Sequence, residues 1–167
     1  MSGHHTAAVH WGTPSPQFQE WETTKVYCHG FAGLSTARGA PANSPKFMCV
    51  GNRWHLKIYP GGCIRARDDY VTIGLANMSD KSINILFYFV IKCMSEYEIR
   101  EVSNSSQPPN RRIPRSHCFE RKGSKTGIPN FATRAKVLKS LVYGTLIIKV
   151  HMKLVEPNNV QPPPRLR

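Results

Sequence analysis

Carboxylates are scarce in this 167-residue chain: ten Asp and Glu stand against 23 Lys and Arg, for a formal charge of +13. The only adjacent acidic pair is Asp68-Asp69. Neighbours at a strand start lead into a turn rather than converging across a cleft, so paired-carboxylate acid-base chemistry has no evident seat. Cysteine is also sparse, and Cys28, Cys49, Cys63, Cys93 and Cys118 include no CxxC spacing. Their odd number argues against a closed disulfide framework, and they read as small apolar residues. Cys28 and His29 are adjacent but face opposite sides of a strand, and no second ligand pair stands at a suitable spacing, so neither metal nor cofactor is expected. The seven histidines fall in no nucleophile or metal motif, which argues against an enzyme. No apolar run is long enough to span a bilayer, and the opening MSGHHTAAVHWGTPSPQ lacks the apolar stretch of a secretory signal. The expected location is therefore cytoplasmic or nuclear, without membrane association. A heptad pattern is missing too, so no coiled coil is encoded and the isolated domain is expected to be monomeric.

What the chain does contain is alternation. In SPKFMCVGNRWHLKIYPGG, from Ser44 to Gly62, residues Trp54, Leu56 and Ile58 point one way and Arg53, His55, Lys57 and Tyr59 the other. That period of two is the mark of a half-buried strand, closed here by a Pro-Gly-Gly turn. Similar runs lie near Glu22 to Phe31, Tyr70 to Ala76, Ser82 to Cys93 and Thr145 to Leu154. The run from Ser82 is apolar on both faces and reads as a central strand. The polar turn from Asn77 to Lys81 has hairpin length, so the strands it joins are expected to pair. Thr133 to Val142 carries apolar residues at three and four spacing, compatible with a short helix capped by Thr133 and ended near Gly144. The expected fold is all-β: an antiparallel β-sandwich of seven to eight strands with one short helix before the last strand. Residues 21–156 form that domain; 1–20 and the proline-rich 157–167 read as tails.

Four ordered blocks also resemble a known family. The RWHLKIYPGG segment, DDYVTIGLANMSDKSI (Asp68 to Ile83), GIPNFATRAKVL and GTLIIKVHMKL (the last two within Gly127 to Leu154) are similar to the MATH domain, the β-sandwich of TRAF-type adaptors. The resemblance spans roughly Thr24 to Glu156 and is closest to the MATH half of MATH-BTB proteins. It implies a non-catalytic module that binds a protein or peptide, in some members as the substrate receptor of a ubiquitin-ligase adaptor. It also implies a shallow groove across one sheet. The groove positions correspond to Tyr70, Gly74, Phe87, Lys125, Thr126 and Ile128. Of these, Phe87 keeps an aromatic but shares parity with Phe89 and Ile91, which favours a core position over the groove. Gly74, Thr126 and Ile128 stand where aromatics are usual, and Lys125 where the loop is often acidic. The location of the site is expected to carry over, but not its ligand.

The charge is unevenly spread. Residues 1–110 hold ten Lys and Arg against eight Asp and Glu, whereas residues 111–167 hold thirteen against two. Arg111, Arg112, Arg115, Arg121, Lys122, Arg134 and Lys136 form the densest stretch and are expected to make a basic face. Such a face suits an acidic protein surface or peptide. Nucleic acid is less favoured, because only Phe119 and Phe131 stand among the cations to stack on bases. The rival function is a structural subunit docking its basic face onto a large assembly that contains nucleic acid.

Overall fold

Alternating strands become two facing sheets. The computed structural model describes residues 11–12, 20–94, 99–103 and 114–155. Its strands are β1 (Glu22–His29), β2 (Ala42–Asn43), β3 (Phe47–Cys49), β4 (Asn52–Tyr59), β5 (Tyr70–Asn77), β6 (Ile83–Met94), β7 (Ile99–Ser103), β8 (Arg115–Phe119), β9 (Lys125–Thr133) and β10 (Thr145–Leu154), with helix α1 (Arg134–Ser140) between the last two. The first sheet runs β1-β10-β6, and β7 and β8 share the far edge of β6. The second runs β4-β5-β9, with β2 and β3 sharing the outer edge of β4. All pairings are antiparallel, giving four strand positions per sheet and an antiparallel β-sandwich, as the alternation requires.

The inward faces close on a continuous core. Trp54, Leu56 and Ile58 of β4 are buried as the alternation predicts, and so are Leu146, Ile148, Val150 and Met152 of β10. Aromatic rings lock one sheet against the other. Trp54 meets Phe119 edge-on at 5.1 Å and donates its indole N–H to the Cys49 carbonyl at 2.9 Å, while Phe89 meets Phe131 at 6.3 Å. Edge-to-face pairs of this kind add to the burial of the rings themselves.

Local signals placed α1 correctly. Thr133, extended at φ −64° and ψ 146°, accepts a hydrogen bond from the Lys136 N–H and caps the helix. The expected hairpin between β5 and β6 is not formed. Both edges of β5 are occupied, by β4 and β9, so the chain after Asn77 crosses to the other sheet. Asn77 is fully buried and makes that crossing: its side-chain amide donates to the Lys81 carbonyl and its side-chain oxygen accepts from the Ser79 N–H, both at 2.9 Å. The expected tails, apart from residues 11, 12 and 20, lie outside the described residues, as do all of residues 104–113.

Candidate functional site

The outward face of the second sheet is a small grid. β4 contributes Arg53, His55, Lys57 and Tyr59. Lys57 lies across from Gly74 of β5, which lies across from Gly127 of β9. One row along, His55 faces Ala76, and Ala76 faces Lys125. On the other side Tyr59 faces Thr72, where the β5-β9 register shifts. Because two of the central positions are glycine, no side chain fills the middle of the sheet. A Cβ on Gly74 would stand 3.1 Å from the Thr126 carbonyl oxygen, and one on Gly127 would stand 3.1 Å from that of Ile73.

A loop wall closes the Thr72 end. Arg38 donates to the Ile64 and Ala66 carbonyls at 3.2 and 2.7 Å and to the Asp68 carboxylate at 2.5 Å. The Gly39 N–H donates to the Gly62 carbonyl at 2.8 Å, and the Arg67 N–H to the Asn130 side chain at 2.7 Å. Inside the wall, the Thr72 hydroxyl donates to the Pro129 carbonyl and accepts from the Cys63 N–H, so its one donor is used. Gly61 permits the tight crossing beneath, since a Cβ there would sit 2.0 Å from the Thr36 carbonyl oxygen.

Floor and wall enclose a cleft of about 530 Å³, lined by Lys57, Tyr59, Ile64, Arg65, Lys125 and Gly127 together with Gly39, Cys63, Thr72, Gly74, Thr126 and Pro129. Its chemistry is one-signed: three cations and no carboxylate. Lys57, Arg65 and Lys125 have no acidic partner among the described residues. Burial, and then the neighbouring Lys125 ammonium, hold the Lys57 ammonium below its ordinary value of 10.5. Burial likewise lowers His55, assisted by Lys57 and Lys46. Each of these groups would therefore gain from an anion.

Of the groove candidates, Gly74, Lys125 and Thr126 line the cleft. Phe87 and Ile128 are 1% and 3% exposed and point into the core instead. Phe87 follows the parity of Phe89 and Ile91, inward throughout. Tyr70 is half-buried at the start of β5, opposite Thr133, and does not line the cleft. The expected single basic face does not assemble from its described members. The Arg121 carbonyl lies beside Asn77, and the Arg134 N–H donates to the Asp69 carbonyl, at opposite ends of the eight-residue β5. Arg134 also donates to the Pro60 carbonyl at 3.3 Å and covers the Phe31 ring at 5.5 Å, a structural role. Arg115 opens β8 across from Phe87 in the first sheet, Lys122 lies in the β8-β9 turn, and Lys136 is on α1. Arg111 and Arg112 lie outside the described residues. Lys57 and Arg65, which sequence reading passed over as site residues, came from the near-neutral part of the chain. The wet-face alternation of β4 was the available signal for Lys57.

The sheet order, the helix before the last strand and the cleft across one sheet define a TRAF-like β-sandwich. Among solved structures the chain is similar to TRAF5 from Notothenia coriiceps, with a TM-score of 0.51 and 12% identity over 80% of this chain and 74% of that one. The MATH domain family profile matches residues 26–152, and the chain belongs to that family. No curated protein matches the sequence. MATH domains generally serve as protein-interaction modules. No helix among the described residues is long and apolar enough to cross a membrane, and no group of three or more His, Cys, Asp or Glu among them could hold a metal ion.

Proposed function

We propose that this domain is a non-enzymatic adaptor that holds an extended, acidic segment of a partner protein in the cleft over Gly74 and Gly127. One observation carries the reading: Lys57, Arg65 and Lys125 surround a side-chain-free floor with no carboxylate among the described residues to neutralise them. A cleft with one aromatic, Tyr59, lacks the large apolar anchors that dominate most peptide sites, so charge must supply the selectivity. The likeness to MATH-BTB proteins makes substrate recognition for a ubiquitin ligase, in cytoplasm or nucleus, the process this binding would serve. The rival docking onto a nucleic-acid assembly loses support because the described cations of the 111–139 stretch are dispersed over the fold.

Selection from a random peptide display library tests the proposal. Wild-type protein should enrich Asp- and Glu-rich sequences, and the Lys57→Glu, Lys125→Glu double variant should enrich neutral or basic ones. Enrichment of the same sequences by both proteins would overturn it.

A further inference from the structure

The geometry points to a more specific ligand, and the inference rests on the reading just given: we infer that the cleft takes a phosphorylated serine or threonine of the partner segment. The cations reach it from three separate places, β4, the β4-β5 loop and the start of β9, around one glycine floor. Lys57 and Lys125 are close neighbours across the glycine floor, and Arg65 stands in the wall of the same cleft. Carboxylates on the same face of an extended peptide recur about every 6.6–6.8 Å, two residues apart, so they reach a single spot one at a time. A phosphoryl group brings about −1.5 to −2 charges and three acceptor oxygens to one point, enough to engage the neighbouring Lys57 and Lys125 ammonium groups together.

The surroundings agree with a compact dianion. Lys57 and Lys125 are close enough for the second to depress the proton affinity of the first. A group carrying more than one negative charge relieves both at once. The Thr72 hydroxyl already bonds within the protein, which leaves lysine and arginine donors, the usual phosphate ligands. Missing side chains at Gly74 and Gly127 give the group depth, and Tyr59 and Ile64 at the margin offer contact to the flanking peptide.

Fluorescence anisotropy with degenerate peptides carrying a central serine, phosphoserine or glutamate tests this on the full chain. The phosphoserine set should bind about tenfold tighter than the glutamate set, and the serine set weakest. Lys57→Ala and Lys125→Ala should each remove most of the phosphate preference while leaving thermal melting near wild type. Lys57→Arg should retain binding, and Lys25→Ala on the opposite sheet should leave it unchanged. Equal affinity for phosphoserine and glutamate, lost together in Lys57→Ala, would overturn the phosphate inference and leave the acidic-segment reading standing. Binding that ignores Lys57 and Lys125 but fails in Lys25→Ala would overturn both. A single-stranded oligothymidine that displaces the phosphopeptide at equal charge concentration would also defeat the inference, assigning the cleft to backbone phosphates.

Discussion

Gly74 on β5 lies directly across from Gly127 on β9, and the residue on the other side of Gly74 in the same row is Lys57. With glycine at both positions the sheet offers open space beside a cation in place of apolar contact. Gly74→Tyr should refill the floor. Acidic peptides should bind about tenfold more weakly, and unfolding free energy should fall by about 1–3 kcal/mol, because the new Cβ stands 3.1 Å from the Thr126 carbonyl. Paired peptide titrations and urea denaturation measure the two effects.

His55 gives the domain a pH signature. Burial first, then Lys57 and Lys46, lower its pKa from 6.5. Between the folded and unfolded pKa values the unfolded chain binds the proton that the folded one resists. Stability should therefore decline as pH drops below 6.5 and level off once the folded form is also protonated. His55→Gln should remove this component of the slope. Urea midpoints collected across that range for both proteins check it, and identical slopes would contradict the assignment.

Asn77 holds the crossing between sheets, and no shorter side chain can do so. Asn77→Ala leaves the Ser79 N–H and Lys81 carbonyl without their partner in a partly buried corner, at a loss of about 1–2 kcal/mol. Chemical denaturation should show a lower midpoint with an unchanged denaturant slope.

Tyr143 adopts φ +49°, followed by Gly144 at +78°, between the bridged residues Val142 and Thr145. Two positive-φ residues in a two-residue loop favour Asn-Gly, and Tyr143 is 92% exposed, so it has little burial to lose. Tyr143→Asn should stabilise the fold by about 1 kcal/mol, visible as a raised melting temperature.

Local features were legible in the sequence. The alternation of Trp54, Leu56 and Ile58 needed only the period of a strand, and the α1 cap needed only Thr133 and the apolar spacing after it. Non-local features were not. A turn of hairpin length reads the same whether its strands pair or cross between sheets, and only the occupied edges of β5 decide. Charge density along the chain proved a poor guide for a similar reason. Arg121 and Arg134, both within the densest basic stretch, are carried to opposite ends of β5, while Lys57, Arg65 and Lys125 are brought together from distant positions. Phe87 followed its parity with Phe89 into the core, the simpler of the two readings the sequence left open.

Backbone amide chemical-shift mapping, with a peptide recovered from the display selection titrated into the isotope-labelled protein, tests the central claim most directly. Shifts concentrated at Lys57, Gly74, Thr126 and Gly127 are predicted. Shifts concentrated at Lys25, Tyr27 and His151, on the outer face of the first sheet, would contradict it.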